Sequence, residues 1–105
     1  MAAKLVYITA GSEDEARRIA RGLVERRLAA CANVIPRIRS FYRWDGRLCE
    51  DDEAVVIAKT TDALAERLVA AVKELHSYEV PAVLVLDVER GYPPFLEWLA
   101  GEVRP

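Results

Sequence analysis

From Val34 to Trp44 the chain alternates with a period of two, and Asp45-Gly46 follows at once. Ile38, Ser40, Tyr42 and Trp44 fall on one face of an extended strand, with Arg37, Arg39, Phe41 and Arg43 on the other. Asp45-Gly46 fits a two-residue type I′ turn, whose geometry sets the register and brings Arg39 opposite Asp52 and Phe41 opposite Glu50. One face of the ribbon then mixes Arg37, Arg39 and Arg43 with Glu50 and Asp52, a ladder in which each pair contributes roughly 0.2–1 kcal/mol. Pro36 has no N–H for a ladder and so marks an edge or a bulge. A hairpin this long is more than a small monomer needs, and its expected use is subunit assembly.

The flanking segments supply the other elements. Leu5 to Ala10 is a continuous apolar run closed by Gly11, which suits a buried strand. Ser12 and Glu15 make a capping box, and Ala16, Ile19, Ala20, Leu23 and Val24 form one helical stripe ending near Arg27. The returning hairpin strand becomes core at Ala54 to Ala58 and ends with Lys59-Thr60-Thr61. Thr61 or Thr60 is the expected cap of a second helix, whose stripe runs Leu64, Leu68, Ala71, Val72, Leu75. Pro81 precedes a fourth strand over Val83 to Val88, and Pro93-Pro94 opens a short final helix.

This order predicts an α+β fold: one domain, residues 1–105, with a ferredoxin-like βαββαβ antiparallel sheet and two helices on one face. It adds the long hairpin between the second and third strands and a short C-terminal helix. The other face of the sheet is left bare. Apolar strand residues such as Val6, Ile8, Val55, Ile57, Val83 and Val85 are expected to need a second copy of the chain against it.

Fifteen basic against seventeen acidic residues give a net charge of −2, which supplies no field for nucleic acid or an anionic membrane. The strand Asp51 to Ala58 carries acids where an RNA-recognition domain of the same strand order needs aromatic residues. No apolar run approaches the ~20 residues of a membrane span or has the form of a signal peptide. Cys31 and Cys49 show neither a disulfide framework nor metal-knuckle spacing. The expected location is the cytoplasm.

The chemical candidates are few. His76, the only histidine, has Glu79 three residues on, and imidazole with carboxylate suits Cu(II) or Zn. The alternative for His76 is a cation stabilising a helix C-terminus. Cys31 is either a soft ligand or nucleophile, or a small buried hydrophobe. Tyr42 and Trp44 either stack a ligand or fill an interface, and Lys59 is placed to hold an anion at an intersubunit cleft. Glu50 to Glu53 read as a solvated or Arg-paired face. No phosphate-binding glycine loop, Gly-x-Ser-x-Gly elbow or HExxH helix is present, and no orienting acid or oxyanion donor accompanies Cys31 and His76. The expectation is a non-enzyme.

Four ordered blocks resemble the CutA family of divalent-cation tolerance proteins: Arg27 to Asn33 continuing into Val34-Ile35-Pro36, then Tyr42 to Gly46, Lys59-Thr60, and Leu75 to Pro81. The resemblance implies a compact homotrimer of ferredoxin-like subunits with hairpins packed between neighbours, similar in architecture to PII-type signalling proteins. It also implies binding of divalent metals, notably Cu(II), as a non-obligatory ligand, and a role in metal tolerance. On this sequence the implied metal residues are His76, Glu79 and Cys31, and the ligand cleft includes Trp44, Lys59 and Tyr78. The family often has proline where this chain has Ser77. Some members bring a first-strand cysteine and an adjacent histidine where Ile8 and Leu75 stand here, which leaves His76 as the main anchor. The second reading is a PII-like sensor that holds a small anionic metabolite at the intersubunit cleft.

Overall fold

The computed structural model describes residues 2–104. The elements run β1 (Ala3–Ala10), α1 (Glu13–Glu25), β2 (Cys31–Trp44), β3 (Arg47–Thr61), α2 (Asp62–Leu75), β4 (Val83–Asp87) and α3 (Pro93–Glu102). The four strands form one antiparallel sheet in the order β2-β3-β1-β4, the ferredoxin-like arrangement expected. The second strand starts at Cys31 and not at Val34, so Cys31 lies on the sheet, opposite Lys59. Among the described residues no helix is long and apolar enough to cross a membrane.

Strand alternation divides the sheet into two unlike faces. Val6, Ile8 and Ala10 of β1, with Ala54, Val56 and Ala58 of β3, point toward the helices and are fully buried against Ile19 and Leu23 of α1 and Leu68 and Val72 of α2. Leu99 of α3 and Val103 join the same core. The opposite face carries Leu5, Tyr7, Val55, Ile57, Leu84 and Leu86. The bare-face expectation therefore holds for Val55 and Ile57 only. Val6 and Ile8 belong to the helix side, and their register partners Val85 and Val83 share that side. Leu84 is 62% exposed and Leu86 46%, whereas Val55, flanked by Ile35 and Thr9, is buried.

The hairpin register follows from two constraints. The core pairs Val34 with Val56, and the turn pairs Trp44 with Arg47. Ten steps separate Val34 from Trp44 but nine separate Val56 from Arg47, so β2 must hold one unpaired residue. The register shifts between Ile35 and Ile38, around Pro36, where no N–H is lost from the ladder. Beyond the bulge Arg39 faces Asp52 and Phe41 faces Glu50. Arg37 lies 3.2 Å from Asp52, while Arg39 lies 3.3 Å from Asp52 and 3.5 Å from Glu50. Arg43, the third expected rung, has no ion pair among the described residues.

Both helix ends fall close to where the sequence places them. Helix α1 ends at Glu25, two residues before Arg27, which takes a left-handed φ of 61° and turns the chain toward β2. Thr61 is the N-cap of α2, yet its side chain makes no cap bond, and its buried hydroxyl oxygen has no partner among the described residues. At the hairpin tip Asp45 and Gly46 have φ of 55° and 77°, the type I′ signature. Replacing Gly46 by Ala adds no clash, because nothing lies within 4 Å of the new Cβ, and leaves only the left-handed penalty of about 1–2 kcal/mol. Denaturant unfolding of Gly46→Ala measures that loss.

Candidate functional site

The loop after α2 is stitched to the end of β1 and the start of α1 by buried polar groups. His76 has a fully buried side chain. Its Nε2 lies 2.7 Å from the Thr9 carbonyl, which only accepts, and its Nδ1 receives the backbone N–H of Tyr78 at 3.0 Å. The ring is thereby the neutral Nε2–H tautomer with both nitrogens engaged. It is not a cation facing the helix dipole. Proline at the Ser77 position would leave no backbone N–H there, and in this chain that N–H donates to Glu15 Oε2 at 2.7 Å.

Glu15 is the residue that sequence reading placed only at a helix cap. Its backbone N–H does donate to Ser12 Oγ at 3.1 Å, but its carboxylate turns to Gly11 N–H at 3.0 Å and to Ser77, and not to Ser12. It is 5% exposed, and Oε2 lies 3.9 Å from His76 Nδ1. Burial pushes this carboxyl up, but hydrogen bonds from Ser77 and the Gly11 backbone outweigh it and hold the group below its ordinary value. Gly11 allows the close approach: a Cβ there would meet Tyr78 Oη at 3.1 Å and Glu15 Oε1 at 3.5 Å.

Tyr78 carries this stitch to the open face. Its ring lies 4.7 Å from His76, and its hydroxyl donates to Glu53 Oε2 at 2.9 Å. Burial, then the bond to Glu53 and its charge, raise the phenol well above its usual range. Tyr78 and Glu79 form one wall of a cleft of about 660 Å3, and Tyr42, Trp44 and Ile38 of the hairpin form the other. Tyr7, Thr9 and Glu53 also line it. Tyr42 donates to Asp51, which pushes its phenol up to about 12. The bulge explains why these groups meet: it sends Ile38, Tyr42 and Trp44 to the face of Glu53 and Asp51, and Arg37 and Arg39 to the face of Glu50 and Asp52.

The candidate residues do not all converge. Trp44, Tyr78 and Glu79 share the cleft. Lys59 bonds to Asn33 and pairs with Leu5, four residues or about 13 Å along β1 from the Thr9 that holds His76. Cys31, opposite Lys59, lies at that same far end. Within one subunit, then, His76, Glu79 and Cys31 are not brought together, and both ring nitrogens of His76 are engaged in hydrogen bonds. Among the described residues no three of His, Cys, Asp and Glu gather to hold a metal ion. Sequence reading missed Glu15 and Glu53. Glu53 was legible through alternation, since it takes the opposite face from Asp52, whereas the burial of Glu15 depends on a loop 62 residues later.

The family model described as "CutA1 divalent ion tolerance protein" matches residues 4–102. "Divalent-cation tolerance protein CutA" of Thermus thermophilus is 45% identical over 96 residues, which are 91% of this chain and 93% of that protein. "Protein CutA homolog" of Xenopus laevis is 46% identical over 99 residues, 94% of this chain; the chain spans only 65% of that relative's length. Among solved structures, CutA1 from Oryza sativa superposes with a TM-score of 0.96 at 36% identity, covering 99% of this chain and 95% of that one. The Thermus thermophilus protein gives 0.94 at 42%, with 97% and 99% covered.

Glu15 links stability to pH in a definite direction. Its folded-state pKa lies below the ordinary 4.5, so its contribution is complete above that value and disappears as pH falls through the lowered one. Glu15→Gln, which leaves one of the two backbone N–H groups without its acceptor, is expected to cost roughly 1–3 kcal/mol at neutral pH. The gap to the native protein should close in acid. Thermal unfolding across that range checks both statements, and a gap independent of pH contradicts them.

Proposed function

Because this chain belongs to the CutA1 divalent ion tolerance protein family, we propose that it serves divalent-cation tolerance as a cytoplasmic homotrimer that catalyses no reaction. The observation that carries the assembly is the open sheet face. Helices cover one side of the sheet, while the other presents Leu84, Leu86 and Ile35 and continues along the hairpin through Tyr42 and Trp44. Apolar surface so extended on a small domain is a docking surface, and the hairpin lengthens the molecule to 44 Å against 25 and 22 Å in the other directions. Sister chains are the partner, three being the number that family resemblance implies. Two unpaired cysteines accord with a reducing compartment.

The cation reading needs revision at the level of residues. His76 gains a lone pair for a metal only by releasing Tyr78 N–H, and Cys31 joins only if a neighbouring subunit brings it. Glu79 is the candidate donor at the cleft whose side chain has no bond among the described residues, and Glu53 borders the same cleft. We assign a Cu(II)-type or other divalent ion to these carboxylates, which suit borderline and harder cations. The anionic-metabolite reading loses support, because Lys59 is outside the cleft and bonded to Asn33.

Two measurements test these statements. Sedimentation at micromolar concentration should give a trimer, and Leu84→Glu with Leu86→Glu should give smaller species while far-ultraviolet circular dichroism is kept; a native monomer ends the assembly reading. In calorimetric titration with Cu(II), Glu79→Gln should weaken binding about tenfold, or 1.4 kcal/mol, and Cys31→Ser should leave it unchanged. Loss of binding in Cys31→Ser would instead point to a site shared between subunits.

A further inference from the structure

We propose that helix α3 is the seat for a sister chain's hairpin, its aromatic flank receiving the face of the β2-β3 tip that carries Phe41 and Leu48. Leu96, Leu99 and Val103 fasten α3 to the core. Phe95 and Trp98, three residues apart and therefore neighbours on the helix surface, stay outside that core and remain half exposed, with ring centroids 5.6 Å apart. Tyr92 at the N-cap lengthens the patch. Tyr92 and Leu48, at 73% and 72%, are the most exposed large apolar side chains among the described residues, so the helix and the hairpin tip each present apolar surface that one chain leaves in water.

The two patches lie at opposite ends of the molecule. Val88 N–H donates to the Ala3 carbonyl and Arg104 N–H to the Arg27 carbonyl, which ties both flanks of α3 to the sheet end where β1 begins. The hairpin leaves from the other end: β1 stops beside Ala54, and β3 reaches back from there to Arg47, seven residues or about 23 Å. The patches therefore meet only between chains. Alternation puts Phe41 and the Arg43–Leu48 pair on the face away from Tyr42 and Trp44, so the open-face docking surface does not cover them. Charge agrees, since Arg43 on that face and Glu97 beside Trp98 each lack an ion pair among the described residues. Cyclic closure of three copies needs two unlike surfaces on each chain, one offered and one received, and the hairpin tip and α3 are such a pair.

This contact rests on the homotrimer proposed above and adds to it the residues that a neighbour touches. The test uses the full chain with Cys31→Ser and Cys49→Ser, into which Leu48→Cys and Glu97→Cys are placed separately and together, treated with a short bismaleimide after assembly. The chain with both substitutions is expected to give linked dimers and trimers in denaturing electrophoresis, and the chain with either one alone to stay single. In sedimentation, Phe95→Ala with Trp98→Ala should raise the concentration of half-dissociation at least tenfold while far-ultraviolet circular dichroism is kept. A trimer that does not link, or whose dissociation the two alanine substitutions leave unchanged, overturns the α3 contact and leaves assembly standing. Linking with Glu97→Cys alone shows α3 facing its own counterpart and overturns it as well. A native monomer ends both readings.

Discussion

Alternation along β3 is the constraint on which the other features depend. This strand pairs with β1 and β2 over its apolar half, and each of its residues is committed to the helix side or the open side. Core pairing at one end and the two-residue turn at the other demand one extra residue in β2, and the chain accommodates it around Pro36. Without that bulge, Ile38, Tyr42 and Trp44 would exchange faces with Arg37, Arg39 and Phe41. The aromatic side chains would then leave the face that carries Glu53 and Tyr78.

The acidic run shows how one stretch of sequence takes two roles. Glu50 and Asp52 meet arginines across the ribbon in exposed pairs, which contribute little each and mainly reinforce the register. Asp51 and Glu53, one residue out of phase, accept from tyrosine hydroxyls on the open face. The two faces thus differ in how their acids are partnered: on one side by arginine cations, and on the other by tyrosine hydroxyls.

The buried stitch of Glu15, His76 and Ser77 explains why the loop after α2 forms a defined wall. Backbone donors at Gly11, Ser77 and Tyr78 find side-chain acceptors, and the imidazole Nε2–H donates to the Thr9 carbonyl. Each bond contributes modestly, but loss of either side chain would leave buried groups unsatisfied at considerable cost. A histidine used in this way holds the loop in shape.

Local patterns in the sequence determined the elements, the turn with its register, the proline bulge and the uneven covering of the sheet, because period, turn chemistry and the missing proline N–H act between near neighbours. The family blocks were legible for the same reason, as short ordered motifs. Only the tertiary structure decided which groups meet. Glu15 and Ser77 are 62 positions apart and become partners through the packing of α1 beside the end of α2. Cys31 and Lys59 carried the right chemistry for the candidate site but lie at the far end of the sheet from His76, a separation set by strand pairing that no spacing along the chain reveals.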